Sequence, residues 1–345
     1  MPRRTSGQIT QRRIAELAGV SQSTVSLVLN GRSDGSARIP QETRDRILRV
    51  IQDTAYVADP SARRLAGAES RIFGVFTYEP AFPTESADFY TPLLAGIEAA
   101  AESRGIDLLL FTSAPVAEDG RRELFRNRNR LRIADGVLLL GVEMDADDLA
   151  QASADGFPVV AVGRRDAPGI PFVGVDYVGA TRTLLRRAAD LGHRQALFLH
   201  RSGSGESVLD RRRGVREGAQ EAGLSVLERP SDGTDADADW AAVREAGVTL
   251  VIAEEPEVAA AVRAHGVRDG VAIPEELSIV ALGSAPRTDA GPDITRLTPP
   301  RPELGAAAVE LLARLISGET VPPDERRTLL PCPIADGATL SGAAV

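Results

Sequence analysis

The stretch Ile14-Ala15-Glu16-Leu17-Ala18-Gly19-Val20-Ser21-Gln22-Ser23-Thr24-Val25-Ser26-Leu27-Val28-Leu29-Asn30 decides how the chain is read. Ile14, Leu17 and Ala18 recur at i, i+3 and i+4, the spacing of one apolar helix face. Gly19 suits the left-handed position that ends a helix. Ser21 is a natural N-cap, and Val25, Val28 and Leu29 repeat the apolar spacing on a second helix. Helix, glycine turn, helix is a helix-turn-helix arrangement. Its second helix presents Gln22, Ser23 and Ser26 outward, short polar side chains that reach base edges in a major groove. Spacing alone equally admits a helical hairpin inside a larger fold.

Charge separates the two possibilities. The whole chain of 345 residues carries a net −9, which by itself argues against a nucleic-acid partner. Residues 1–67 hold eleven Arg against six acidic residues, a net of +5, and the remainder holds 29 basic against 43 acidic, a net of −14. A basic arm on an acidic body suits phosphates at one end and repels them at the other. Every basic residue is Arg, which reads as base composition of the genome. Cys332 is the single cysteine, so no intramolecular disulfide is expected and a reducing, cytoplasmic setting fits. No signal-peptide-like segment opens the sequence, and no apolar run of about 18 residues could span a bilayer.

Further along, Thr10 is placed to cap the first helix, and residues 32–39 form a loop rich in turn formers. Pro40 to Thr43 open a third helix whose Ile47, Leu48, Val50 and Ile51 would close a three-helix unit. In residues 56–67, Pro60 suits the first turn of a short helix and Gly67 its end, although about seven residues of helix do not stand alone in water. From Arg71 the pattern becomes alternating strands and helices, starting with Ile72 to Phe76 as a strand and Pro92 to Ser103 as a helix. Such alternation means parallel sheets covered by helices, and more than 270 residues of it imply two lobes.

No nucleophile elbow, phosphate loop or metal-spaced cluster is present, so no cofactor or metal is called for and an enzymatic reading is weak. Asp145, Asp147 and Asp148 read as a solvated helix start more readily than as a cation loop. Of the three histidines, His193, in the turn Leu191-Gly192-His193-Arg194, reads as structural.

The opening segment resembles, nearly residue for residue, the DNA-binding headpiece of the LacI/GalR (lactose-repressor) family. The matching positions are Ile14-Ala15, Ala18-Gly19-Val20-Ser21, Thr24-Val25-Ser26 and Val28-Leu29-Asn30-Gly31. Looser matches follow in order: Gly96-Ile97-Glu98, Asp135-Gly136-Val137, Val175-Asp176, Leu191 to Arg194, Thr298 and Glu310-Leu311-Leu312. The resemblance implies an α/β protein with an N-terminal all-α helix-turn-helix headpiece (1–58) and a hinge helix with linker (59–70). A periplasmic-binding-protein-like core of two Rossmann-like lobes (71–345) would complete it. The N-lobe is expected at about 71–166 plus 294–320 and the C-lobe at about 167–293 plus 321–345. Chain crossings between the lobes are expected near Gly163–Pro171, Ala290–Thr298 and Gly318–Pro323, each rich in Gly or Pro.

The function so implied is that of a sequence-specific transcriptional regulator, a repressor by expectation. It would bind a pseudo-palindromic operator in double-stranded DNA as a homodimer, under control of a small-molecule, sugar-like effector. Gln22, Ser23, Thr24, Ser26 and Asn30 would meet DNA, Thr24 at phosphate. Leu65, with Ala62 before it, occupies the place of a leucine wedge in the minor groove. Leu27 stands where many relatives carry a base-contacting Arg. In the effector cleft the resemblance implies Phe89, Tyr90, Arg211, three residues before Gly214, and Trp240 as an apolar wall. Two positions depart from the family: Glu254 replaces an amide, and Gly283 replaces a ligand-binding aspartate. Glu254 is therefore expected to take over hydroxyl recognition. A solute-binding protein, and a regulator that has lost its ligand response, are the alternatives.

Overall fold

The computed structural model describes residues 10–29, 39–54, 70–78, 87–112, 128–284 and 293–344; at 29, 87–89 and 128–129 it describes backbone alone. The chain divides into two compact units, Met1–Arg71 and Ile72–Val345.

Among the described residues of the first unit, three helices surround a small apolar core: α1 (Gln11–Ala18), α2 (Gln22–Leu29) and α3 (Gln41–Asp53). The Thr10 side chain accepts from the Arg13 N–H to start α1, and Gly19 ends it at φ 64°. Ser21 caps α2 by accepting from the Thr24 N–H at 3.2 Å. Arg46 Nε reaches back from α3 to the Ala18 carbonyl at 2.9 Å, satisfying the end of α1. Ile14, Ala15, Ala18, Val25, Val28 and Ile47 form the core. Leu17 does not join them and is 49% exposed. At about 100° per residue, Ile14, Ala18 and Ala15 span one arc, and Leu17 falls about 60° beyond its far edge. Leu48 is likewise exposed, while Val50 and Ile51 pack partly against the core. Asn30, and the expected hinge positions Ala62 and Leu65, lie outside the described residues.

The second unit holds two six-stranded sheets. The first lobe contains β1 (Ile72–Thr77), β2 (Asp107–Phe111), β3 (Gly136–Leu140), β4 (Val159–Val162), β5 (Phe172–Asp176) and β11 (Arg327–Pro331). They lie in the order β11-β5-β4-β3-β1-β2, all parallel. The second contains β6 (Gln195–His200), β7 (Ser225–Pro230), β8 (Leu250–Ala253), β9 (Ser278–Ala281), β10 (Thr295–Leu297) and β12 (Ile334–Ala335). Their order is β12-β10-β9-β8-β6-β7, with only β12 antiparallel. Within each lobe the first five strands follow the doubly wound order 2-1-3-4-5.

Helices α4 (Ala87–Ser103), α5 (Ala146–Ala154) and α10 (Arg301–Ile316) cover the first sheet, while α6 (Tyr177–Asp190), α7 (Glu206–Ala222), α8 (Ala236–Ala246) and α9 (Pro256–Arg268) cover the second. The strands read as continuous apolar runs because both faces are buried. On β3, Leu138 and Leu140 face one core while Val137 and Leu139 face the other. On β6, Phe198 and Leu197 divide in the same way.

The lobe boundaries differ from those expected. Strand β5 belongs to the first sheet, so the chain first crosses at Asp176–Tyr177 and not within 163–171. It returns between β10 and α10, at 298–300, and crosses a third time between β11 and β12, at Cys332–Pro333 and not within 318–323. The Gly- and Pro-rich stretches at 163–171 and 318–323 are loops leading to first-lobe strands β5 and β11. Composition marked them as turns but could not say which sheet the next strand joins. Asp145 is the cap of α5, accepting from the N–H groups of Asp147 and Asp148.

Candidate functional site

On the headpiece, Gln22 and Ser23 are exposed and Thr24 and Ser26 half-buried along the outer side of α2. The Ser21 hydroxyl lies 2.7 Å from that of Ser23 and 2.8 Å from that of Thr24. The capping residue therefore also orients two expected DNA contacts, and Gln22 is left as the one long amide. An amide of that reach matches the paired donor and acceptor of adenine in a major groove.

The second site is a cavity of about 420 Å³ where the two sheets face each other. Its walls come from the carboxyl ends of strands, the usual ligand position in open α/β sheets. The first lobe supplies Leu140, Val162 and Val175 at strand ends, Tyr90 and Leu93 from α4, and Arg164 and Arg165 from the β4–β5 loop. The second supplies Arg201 after β6, Ser207, Asp210 and Arg211 from α7, Glu255 and Pro256 after β8, and Gly283 after β9. Tyr177, Pro299 and Arg301 come from the crossings.

Arg211 is tightly held. Its Nε donates to the Leu282 carbonyl at 2.8 Å, its Nη1 to the Ser207 carbonyl at 3.3 Å, and its guanidinium lies 3.9 Å from the centre of the Tyr177 ring. Cation–π stacking and two acceptors fix the plane of the group. Glu254 sits behind it, 1% exposed, with Oε1 3.9 Å from Arg211 Nη1. Oε2 accepts from the Arg201 N–H at 2.9 Å, and Oε1 has no hydrogen-bond partner. Burial pushes the Glu254 carboxyl above its ordinary range, and Arg211 pulls the other way.

Of the five cleft residues expected from sequence, the structure brings Tyr90 and Arg211 to the cavity wall. Phe89 lies in the first turn of α4, and its side chain is outside the described residues. Glu254, expected to recognise ligand hydroxyls, does not line the cavity: it is buried one layer behind the wall, where its carboxylate faces Arg211 and the Arg201 N–H. Trp240 is a correction: it is 5% exposed in the core of the second lobe, against Val243, Val262 and Gly266, with Nε1 donating to Asp269 at 2.7 Å. Its acidic flank is explained by that bond and by Asp239, which accepts from the Ser231 hydroxyl. Sequence reading missed Arg164, Asp210, Tyr177 and Arg301. Each lies just past a strand end, at a crossing or directly beside Arg211, so knowledge of where the chain crosses would have found most of them. His193 is structural, with Nδ1 2.8 Å from the Thr249 hydroxyl and Nε2 3.1 Å from the Ser341 carbonyl.

Residues 11–59 match the family model for bacterial regulatory proteins of the lacI family, and residues 185–339 match the periplasmic binding protein-like domain. The HTH-type transcriptional regulator CelR of Thermobifida fusca is 27% identical over 329 residues, covering 90% of this chain and 92% of its own. The Lac repressor dimer bound to operator and an anti-inducer has the same fold, with TM-score 0.78, 21% identity and coverage of 96% and 98%. A CelR–cellobiose complex superposes with TM-score 0.64 at 24% identity, covering 96% and 99%.

Proposed function

The chain belongs to the LacI family of bacterial transcriptional regulators, and from that premise we propose that it is a repressor whose operator affinity is set by a neutral, hydroxyl-rich small molecule bound between its lobes. It is a DNA-binding regulator and not an enzyme, and it acts on double-stranded operator DNA as a dimer. Two headpieces related by a two-fold axis read a pseudo-palindromic site. Gln22, Ser23, Thr24, Ser26 and Asn30 are the proposed contacts along and after α2, and Ala62 and Leu65 the proposed minor-groove contacts of the hinge. The proposed place of action is the cytoplasm, where the chromosome lies; no described helix is long and apolar enough to cross a membrane.

The observation that carries the effector reading is the electrostatic state of Arg211. An uncompensated guanidinium in a cavity selects an anion. Here the charge has a buried carboxylate, Glu254, behind it and an aromatic face beneath it. What Arg211 offers a ligand is then hydrogen bonds more than net charge, which suits hydroxyl oxygens. Tyr90, Leu93, Val162, Val175 and Leu304 supply apolar wall for a ring. The CelR–cellobiose complex gives a sugar precedent within the fold.

The test has two arms on the full-length protein. Selection from random duplex DNA, with and without a metabolite pool, reads the operator. Calorimetry against neutral mono- and disaccharides, cellobiose included, with sugar acids as contrast, reads the effector. No preference for any site over bulk competitor refutes the regulator reading. Heat from sugar acids alone refutes the neutral-ligand reading. Gly283, where a carboxylate would face the cavity, favours a second reading in which ligand response is lost; it predicts no heat from any sugar.

A further inference from the structure

Helix α7 carries two rows of side chains at i, i+4 spacing, one residue apart. Ser207 and Arg211 line the cavity. Glu206 and Asp210 meet the consecutive arginines of the β4–β5 loop on the other lobe. Arg165 Nη1 donates to Glu206 Oε2 at 2.7 Å, and Arg164 Nε donates to Asp210 Oδ2 at 2.6 Å. The Asp166 N–H donates to the second Glu206 oxygen at 3.2 Å. Alongside, Glu143 of the first lobe accepts from the Ser204 N–H and hydroxyl at 3.0 and 3.2 Å.

These contacts are largely out of water. The Arg165 side chain is 3% exposed and that of Asp210 4%. Removing one partner of a buried pair leaves an uncompensated charge and is strongly destabilising, unlike the loss of a surface pair. The pairs therefore favour one inter-lobe angle over others.

Arg164 also lines the cavity. Its Nε is taken by Asp210 and its Nη1 by Asp166, while Nη2 makes no hydrogen bond to a described residue. Arg211, on the opposite lobe, is in the same condition: Nε and Nη1 are engaged and Nη2 bonds no described residue. Two fixed, charge-compensated guanidinium groups thus border one cavity from opposite lobes. A ring polyol with acceptor oxygens on opposite edges complements that arrangement.

We propose that Arg164 is the first lobe's specificity-determining contact for the effector, and that Asp210 and Glu206 are positioning residues that clasp the lobes and hold Arg164 at the cavity wall. The ligand-facing half of this rests on the cavity reading above; the clasp does not. Each half has its own readout in full-length protein carrying Cys332→Ser.

For the clasp, spin labels go on Glu102→Cys in α4 and Ala241→Cys in α8, both exposed. The unaltered clasp gives one narrow distance distribution. Glu206→Gln with Asp210→Asn raises the open population at least about tenfold. In nitrogen-15 spectra the Arg164 Nε–Hε resonance, protected by Asp210, is lost to exchange in Asp210→Asn. Arg213→Gln, which removes only the exposed partner of Asp210, changes neither readout. Should Asp210→Asn not fold, Arg164→Gln, altering the more exposed member of the pair, gives the same broadening. An unchanged distribution in these variants overturns the clasp. For the contact, Arg164→Gln weakens binding of the sugar found by calorimetry at least about tenfold. Unchanged affinity overturns the contact alone, and a panel in which no sugar gives heat overturns the contact together with the cavity reading.

Discussion

Replacing Gly96 by Ala should destabilise the first lobe, and the sign of the effect tests the packing argument. Helices α4 and α10 pack against each other at two glycines. A Cβ on Gly96 stands 2.0 Å from the Pro302 carbonyl oxygen, and one on Gly305 stands 2.4 Å from the Leu93 carbonyl oxygen. Both obstacles are backbone, so no side-chain rotation relieves them. A tolerable carbon–oxygen contact is about 3.3 Å, so the helices must part by about 1.3 Å. Overpacking of this kind costs about 1–3 kcal/mol, and a backbone clash belongs at the upper end. Against it, Gly→Ala in a helix interior contributes about 0.5–1 kcal/mol of stability where space allows. The net is a loss of roughly 2 kcal/mol, which at about 2.1 cal/mol/K of unfolding entropy per residue over Ile72–Val345 lowers Tm by about 3–4 °C. The two helices carry Tyr90, Leu93, Arg301 and Leu304, so the same displacement widens the cavity. Scanning calorimetry at fixed protein concentration measures the shift, since the proposed dimer makes Tm concentration-dependent. A Gly96→Ala protein melting at or above the parent refutes the reasoning, because helix propensity would then have outweighed a clash that must not exist.

Three further outcomes follow from the sites. Gln22→Ala should relax preference at one operator base by about 1–3 kcal/mol while leaving the salt dependence of binding unchanged, read by competition between duplexes. Glu254→Gln should raise Tm at neutral pH, because Arg211, 3.9 Å away and not hydrogen-bonded to the carboxylate, offsets less than its burial costs, unlike the hydrogen-bonded pairs of α7. Burial holds the folded carboxyl above its unfolded pKa, so its stabilising protonated form is fully present below the unfolded value and lost as pH rises through the folded one. The advantage of the amide should therefore vanish below about pH 4, as melts across pH will show. Trp240→Phe should cost about 1–2 kcal/mol, through the lost bond to Asp269 and a smaller ring, yet leave effector affinity unchanged by calorimetry.

The headpiece was legible because its signals are local. Thr10, Gly19 and Ser21 act through hydrogen bonds to their own helices, and a window of a few residues contains the whole cause. Leu17 was misplaced because i, i+3, i+4 spacing does not say which edge of the arc faces the core; Ala15, invisible as a hydrophobe, fills the other edge. In the core, strand existence was legible from apolar runs, but the lobe of β5 and β11 was not. That assignment depends on which strand edge is open when the chain arrives. Trp240 failed for a related reason: an acidic neighbourhood in sequence became an indole hydrogen bond to Asp269, 29 positions away. The pairs of α7 with Arg164 and Arg165 span 46 and 41 positions, and nothing local announces them.

The crossings explain why a ligand in this cavity can act on the relation between lobes. Tyr177 follows the first crossing and carries Arg211 on its ring. Pro299 and Arg301 come from the second and line the same space. The third is bound to the second, for the Thr298 N–H and hydroxyl both donate to the Pro333 carbonyl, at 2.8 and 3.1 Å. Between them, burial pushes the Cys332 thiol up to about 11, so it packs as a neutral group. Pro299, Pro300, Pro331 and Pro333 each fix φ, which narrows the rotation available at the second and third crossings. A ligand shifts an equilibrium only by binding its two states unequally. Here part of its contact surface is the pivot itself, so a change of lobe angle necessarily alters the groups it touches, and unequal binding follows from the placement of the cavity.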